Sequence, residues 1–510
     1  MLAIHVIQQS RSVTSQDDPL VLRKFLAKVP QSWRKQGTWP LALAWVGLRA
    51  VDSDLIQEAL ANGLNVHVDF FLGILAGRRS ETQRAAELAA AECSGQDPVL
   101  RAIALQLAAG AARARRDPDW EAAFHRAIEG ATGRDRGIAR CRYAGALSEF
   151  PGRAKSEYIK ALPDLRSDHY SISEIWNRVA YIDLHAGQYK DAAHAFDRAL
   201  EASLRQKERR SDGIIYVGMG SVFGALGAYP RALHQFRKGL GQSASISQHY
   251  EMRIAIALTL AAMGLRAQAL EEATLMAAEV AEAATEPQPC LSILAAMRLL
   301  NGDVPGAEEA LAQAPIHNEL DRLRWHVVRA ELDRRAGNAA GAQRSMDQVN
   351  VNLMRNVRST GRLFPEVYTL RGVVIDTPPW TVRCSLAGPV RLWMYDIELP
   401  LRSTRPAAGL LALLVTHGGR VSRERALDAL DLPGRTPDAR RKALSAAVAE
   451  LREVLGWPES VAVQGGVLAL SEEPVWLEPE YPAPGREDLF CEGRYDPWVL
   501  EWRSERLILS

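Results

Sequence analysis

The sequence predicts a mainly α protein, a long helical-repeat solenoid followed by a small α+β domain. Three observations carry that expectation. From Leu41 to about Val357 the chain is rich in Ala and Leu, has few β-branched runs, and falls into amphipathic segments separated by short Gly, Pro or Asp breaks. Within that stretch one spacing of small residues around a glycine recurs. Near residue 360 the pattern changes to β-branched and aromatic residues, then to three helical segments and a Gly-Gly turn. The 510 residues exceed one compact core, and an allowance of about 100–200 residues per domain gives roughly two to four domains. A repeat array relaxes that number, because its core grows along one axis.

The clearest repeat unit is EIWNRVAYIDLHAGQYKDAAHAFDRAL, marked by Trp176, Ala180, Gly187, Tyr189, Ala192, Phe196 and Ala199. Forty residues on, IIYVGMGSVFGALGAYPRALHQFRKGL repeats it with Tyr216, Gly220, Gly227, Tyr229, Ala232, Phe236 and Gly239. Small residues at 180/192 and 220/232 let two helices cross closely, the glycine makes the turn, and the aromatics fill the gap to the next hairpin. Ala257/Gly264/Ala269, Ala295/Gly302/Ala307 and Ala330/Gly337/Ala342 keep the register without the aromatic pair. Upstream of Trp176 the sequence reads as helices without a register. These residues resemble the tetratricopeptide family over about half the chain, which implies a tetratricopeptide-like solenoid. Such a scaffold has no chemistry of its own, and its concave face can hold a peptide, a protein partner or another copy of itself. Trp325 and Tyr189 stand at repeat positions where aromatics serve inter-helix packing, so they define no ligand site.

Past STGRLFPEVYTLRG, the stretch WTVRCSLAGPVRLWMYDIELPLRS predicts three short antiparallel strands. RPAAGLLALLVTHGG follows as an apolar helix closed by Gly418 and Gly419, and SRERALDALDL as a second helix capped by Ser422. PDARRKALSAAVAELREVLG is the third, opened by Thr436 and Pro437 and ended by Gly456. VAVQGGVLAL predicts a hairpin turning at Gly465 and Gly466. Strands, three helices and a terminal hairpin in that order are the plan of a winged helix-turn-helix.

Together LPLRSTRPAAGLLALLVTHGGRVSRERALDAL, ARRKALSAAVAELREVLG and VQGGVLAL resemble the OmpR-type DNA-binding domain of the Streptomyces antibiotic regulatory protein family, over about Val382 to Ser471. DLFCEGRYDPWVLEWRSERL is similar to the segment that opens the bacterial transcriptional activation domain in that family. The full helical activation domain is not expected here, and the repeats precede the DNA-binding domain. The family's way of contacting polymerase therefore does not carry over directly, and RNA polymerase stays open as a partner.

At about 100° per residue, Leu444, Ala447, Val448, Leu451 and Leu455 of the third helix gather on one side and predict its buried face. Lys442, Ser445, Ala446 and Ala449 point away, with Arg441 and Arg452 on the flank. The resemblance implies that this outward face enters the major groove of double-stranded DNA. On that reading Arg441 and Lys442 contact phosphate or guanine, Ser445 a base edge or phosphate, Arg452 the backbone, and Gln464 at the wing tip the minor groove or a phosphate. Arg405, Arg420, Arg423 and Arg425 add phosphate contacts, because each phosphate neutralised releases counterions.

Local charge supports this. From Leu401 to Ser445 nine Lys and Arg stand against four acids, in a chain whose 62 Lys and Arg almost balance 61 Asp and Glu. Exposed arginines are common on helix faces, so the cluster carries more than any member. The chain departs from the family pattern at Ser445 and Glu450, where basic residues are frequent, at Leu432, where Trp is, and at Leu468, where Tyr is. The apolar exchanges preserve packing. The lost charges weaken or redirect DNA binding and favour a homodimer, because two half-sites supply affinity that one lacks.

GxxxxGK[ST], HExxH and GxSxG are all absent, and the eleven histidines do not pair at metal-ligand spacing. His5, His67 and His417 read as structural or solvated. The N-terminal region lacks the βαβα alternation of a phosphorelay receiver. No enzyme activity, cofactor or metal is expected. Cys93, Cys141, Cys290, Cys384 and Cys491 are too far apart for a CxxC zinc site and too few for a disulfide framework, which predicts reduced thiols. MLAIHVIQQSRSVTSQDD lacks the basic flank and apolar core of a secretory signal, and no run approaches about 18 apolar residues. A cytoplasmic, nucleoid-associated protein without a membrane partner is expected.

The expected organisation is a helical cap over 1–40, repeats over 41–357, a linker over 358–379, a winged helix over 380–472 and a tail over 473–510. The expected function is a sequence-specific DNA-binding transcription regulator whose repeats sense a peptide or protein or mediate dimerisation. The alternative is a non-enzymatic scaffold that uses the repeats, and the winged helix with them, for protein–protein interaction.

Overall fold

The computed structural model describes residues 26–35, 116–166, 168–205, 212–242, 246–282, 290–316, 318–351, 359–375 and 380–509, with isolated positions between 39 and 113. The expected cap over 1–40 and the array up to residue 115 lie largely outside the described residues, as do His5, His67 and Cys93. The chain forms two compact units, residues 1–186 with 194–215, and residues 187–193 with 216–510.

In the first unit, α1 (Trp120–Glu129), α2 (Gly133–Ala146), α3 (Pro151–Ala161) and α4 (His169–His185) succeed one another through short breaks. The Phe124 and Tyr143 rings lie 5.5 Å apart, with Trp120 edge-on to Phe124 at 5.9 Å, and fill the α1–α2 crossing. Ion pairs join neighbouring segments at Arg134–Asp168 (2.7 Å), Arg136–Asp164 (2.5 Å), Arg140–Glu157 (2.9 Å) and Arg153–Glu121 (2.5 Å).

The array continues through α5 (Tyr189–Leu204) and α6 (Asp212–Ala225), then α7 (Tyr229–Leu240), α8 (Ile246–Ala262), α9 (Arg266–Glu282), α10 (Cys290–Leu300), α11 (Val304–Gln313), α12 (Glu319–Arg335) and α13 (Ala339–Asp347). Gly187, Gly227, Gly264, Gly302 and Gly337 all take φ between 75° and 87°, the left-handed conformation that a residue with a Cβ resists. From Gly227 onward the turn repeats the same pair of hydrogen bonds. The glycine N–H donates to Gly224, Ala261, Leu299 or Arg334 O, and the next N–H to Phe223, Leu260, Arg298 or Asp333 O. This Schellman closure satisfies the last carbonyls of each first helix. It depends on the glycine alone, which is why the copies lacking the aromatic pair turn in the same way. In the last two hairpins Asp303 and Asn338 also cap the second helix, accepting from Gly306 and Gly341 N at 3.0 Å.

Ala180, Ala192, Ala232, Ala257, Ala269, Ala295, Ala307 and Ala330 are completely buried. Gly220 takes the same place in its copy, and there the approach is closer still, since a Cβ would stand 2.5 Å from the Phe236 ring. Trp325 donates its indole N–H to Leu311 O at 3.0 Å, a packing role.

Beyond α14 (Pro365–Thr369) lies the α+β domain. Its elements in order are β1 (Thr381–Ser385), β2 (Arg391–Met394), β3 (Ile397–Glu398), α15 (Pro406–Thr416), β4 (Arg420–Ser422), α16 (Arg423–Ala429), α17 (Pro437–Leu455), β5 (Val461–Gln464), β6 (Val467–Leu470), β7 (Val475–Trp476) and α18 (Pro497–Leu509). One sheet runs β3-β2-β1-β7 and the other β4-β6-β5. The expected three antiparallel strands gain a fourth, β7, which pairs with β1 in parallel. Two residues between acidic and proline-rich segments give no alternation to read.

The chain after residue 472 is woven into this domain. Asp496, fully buried, pairs with Arg494 at 2.5 Å and accepts from Asp431 N at 2.8 Å. Arg494 also donates to Ser403 and Arg405 O, at 2.8 and 2.6 Å. A Cβ on Gly409 would meet that guanidinium at 2.3 Å, so α15 carries glycine where the arginine crosses it.

Replacing Gly220 by Ala overpacks the helix crossing against Phe236 and is expected to cost about 1–3 kcal/mol. Gly224→Ala, whose Cβ would rest 3.7 Å from that of Ala232, is expected to be neutral or mildly stabilising, since it removes a helical glycine. Thermal denaturation of the two variants checks the contrast in sign.

Candidate nucleic-acid interface

Helix α17 organises the exposed basic face of the α+β domain. Thr436 opens it by accepting from Ala439 N at 3.2 Å, Pro437 occupies its first turn, and Gly456 at φ 92° ends it. Leu444, Ala447, Val448, Leu451 and Leu455 are buried, whereas Arg441, Lys442, Ser445, Ala446 and Ala449 are exposed, as the helical period demands. Leu432 and Leu468 are both buried and fill the core with apolar surface.

Three elements meet on the exposed side. Arg423, at the start of α16, donates its backbone N–H to Gly466 O at 2.7 Å. Its guanidinium reaches Ser445 Oγ of α17 at 3.5 Å, and Ser445 Oγ donates to Arg441 O at 3.0 Å. Gly465 and Gly466, at φ 58° and 77°, form the turn whose twist suits a two-residue hairpin. Gln464 stands exposed beside them. Strand β4 pairs with β6 from Arg420↔Ala469 to Ser422↔Val467, anchoring the hairpin. Three residues read as a helix cap and its approach give no strand signal in the sequence.

The other arginines differ in how they are held. Arg441 pairs with Asp438 at 2.9 Å and Arg420 with Glu472 at 2.5 Å, both on exposed side chains. Such pairs contribute little to stability and exchange readily. Arg425 lies 2.8 Å from His417 Nε2. Lys442 and Arg405 make no side-chain hydrogen bond or ion pair among the described residues. Arg452, expected on the flank, turns away from Arg441 and donates to Val461 O at 2.9 and 2.6 Å. A half-buried guanidinium beside a strand-entry carbonyl holds the hairpin base. Arg440 likewise caps α16 through Leu427 O and Leu430 O. Two of the basic residues are therefore structural.

The far end of α17 is gripped by the repeats of the same unit, which sequence reasoning missed. Arg231 of α7, buried, donates to Val454 and Leu455 O at 2.7 and 2.6 Å and lies over the Phe223 ring at 4.2 Å. Lys238 pairs with Glu453 and holds that carboxyl below its usual range. Tyr395 donates to Leu226 O, and Arg362 to Gly224 and Ala225 O. The only signal was an arginine beside the repeat's invariant small residue, at Pro230-Arg231-Ala232.

Among the described residues, no three His, Cys, Asp or Glu gather as a metal site, and no helix is long and apolar enough to cross a membrane. Cys141, Cys290, Cys384 and Cys491 are free thiols.

No family model and no curated protein matches the chain. Solved structures with which it shares helical repeats include the Rap protein complexed with Competence and Sporulation Factor, at 15% identity over 71% of this chain and 97% of that one, with a TM-score of 0.42. The apo form of the quorum sensor NprR from B. thuringiensis aligns at 16% identity over 67% and 98%, TM-score 0.40. YrrB, a tetratricopeptide protein with an unusual peptide-binding site, aligns at 18% over 43% and 97%, TM-score 0.28.

His234 of α7 borders Lys238, Arg231 and Glu453, and burial first, then Lys238, holds its imidazole below the usual value. With the folded value depressed, stability is fully present above the ordinary histidine pKa of 6.5 and is lost as pH falls through the folded value. Hydrogen-exchange protection of residues 456–461 is expected to drop between about pH 7.5 and about pH 5.5, and His234→Gln to flatten that dependence.

Proposed function

We propose that the chain is a sequence-specific DNA-binding transcription regulator, with an OmpR-type winged helix like that of the Streptomyces antibiotic regulatory protein family. The observation that carries this reading is the junction of Arg423, Ser445 and Gly466, which gathers α16, α17 and the hairpin into one exposed face with Arg441, Lys442 and Gln464. In that role the first half of α17 lies in the major groove and the hairpin reaches the flanking minor groove. Arg405, Arg420, Arg423 and Arg425 take phosphates. The exposed pairs Arg441–Asp438 and Arg420–Glu472 give up a carboxylate for a phosphate at small cost.

The repeats then sense a peptide or protein, or pair two copies so that two half-sites are bound together. Because they hold the end of α17, occupancy of the repeats has a direct route to the DNA-binding face. RNA polymerase remains the partner to which the C-terminal segment would turn. A location with the nucleoid in the cytoplasm follows from DNA as the partner, and the role needs no catalytic step.

A second reading, a scaffold whose α+β domain binds protein, is favoured by one observation. Arg440 and Arg452 are committed to backbone carbonyls, which thins the basic face.

Fluorescence anisotropy of the full chain on a mixed-sequence duplex separates the two. Arg441→Ala with Lys442→Ala is expected to weaken binding by about tenfold or more and to lessen the salt slope by about two. Absence of any salt-sensitive binding by the unaltered protein would sink the regulator reading.

A further inference from the structure

In the first unit, α2, α3 and α4 enclose an open cavity of about 200 Å³. Its walls are apolar below and cationic above. Ile175 and the ring of Tyr158 are buried, with Ile138 and Cys141 half-buried beside them. Burial pushes the Cys141 thiol up to about 12, so it contributes a neutral surface. At the rim stand Arg178 of α4, exposed, and Arg142 of α2, whose side chain reaches solvent while the surrounding helices desolvate its guanidinium and pull it below its usual value.

These two arginines differ from their neighbours. Arg134, Arg136, Arg140 and Arg153 each pair with a carboxylate. Arg142 and Arg178 make no ion pair or side-chain hydrogen bond among the described residues, although they face one cavity from different helices. Among the described residues of the lining, Glu174 is the one acid. Two guanidiniums against it leave the mouth net positive above an apolar, aromatic floor.

We propose that this cavity binds a small organic carboxylate with an apolar or aromatic body. The carboxylate accepts from Arg142 and Arg178, whose planar forks suit its two oxygens, while the body packs on Ile138, Tyr158 and Ile175. Pockets for drug-sized molecules span about 300–1,000 Å³, so this one takes a smaller ligand, either a free acid or the last residue of a peptide. The site stands apart from the DNA-binding reading and is tested without DNA.

Calorimetric titration of the full chain with 3-phenylpropionate tests it, with 3-phenylpropanamide as the uncharged control. The acid is expected to bind saturably with Kd below about 1 mM, more weakly as salt rises, and at least about tenfold more tightly than the amide. Arg142→Gln with Arg178→Gln is expected to abolish that preference while circular dichroism stays unchanged, since neither side chain makes an ion pair or hydrogen bond among the described residues. Should the double variant misfold, each single substitution is read by the same criterion. A tripeptide ending in Phe, with free or amidated C-terminus, assigns the source: tighter binding than the free acid identifies a peptide end, weaker binding a small molecule. No binding of 3-phenylpropionate, or equal binding by the arginine variants, overturns the proposal.

Discussion

The arrangement of the second unit depends on Arg231 at the C-terminal end of α17. A helix leaves its last carbonyls without intrahelical partners, and their dipoles sum to a partial negative charge. Burying such an end is costly unless donors replace water. Arg231 supplies them to Val454 and Leu455, and its positive charge complements the dipole. Gly456 makes room, because a Cβ there would stand 2.8 Å from the arginine side chain. The same helix that presents Arg441, Lys442 and Ser445 is thus fixed at its other end by a residue of the repeat array.

A second buried arginine plays the corresponding part within the α+β domain. Arg494 and Asp496 are both nearly or wholly inaccessible, and their pairing is compensated by Ser403 O, Arg405 O and Asp431 N. Isolated buried pairs are poor sources of stability, but here Nη1 of the arginine and Oδ1 of the aspartate each have backbone partners. Phe490, stacked on Trp502 at 3.7 Å, brings apolar area to the same seam. The C-terminal segment therefore sets the floor on which α15 and α16 rest.

Local chemistry was legible in the sequence and long-range polar contact was not. The glycine register of the hairpins, the caps Ser422 and Thr436, the Gly465-Gly466 turn and the two faces of α17 follow from periodicity and backbone preference, which act over a few residues. Strands β4 and β7 escaped because three and two residues show no alternation, and their existence depends on partners distant in sequence. Arg440 and Arg452 illustrate the same limit on the candidate face. Their helical phase was readable, but a long flexible side chain chooses among carbonyls that only the folded chain brings near. Arg231 and Arg494 look, in sequence, like any surface arginine.

The bond from Arg423 N–H to Gly466 O, with Arg452 bracing Val461, has a consequence for selectivity. It ties the hairpin tip to α16 and the hairpin base to α17, so that the tip and the exposed face of α17 form the two arms of one caliper. On the DNA-binding reading, the side chains at the centre of that face, Ser445, Ala446 and Ala449, are small and distinguish few base edges. A caliper of fixed span instead discriminates by groove width and by the bend a duplex must adopt, so flexible pyrimidine–purine steps and narrow A-tracts at untouched positions would rank one site above another.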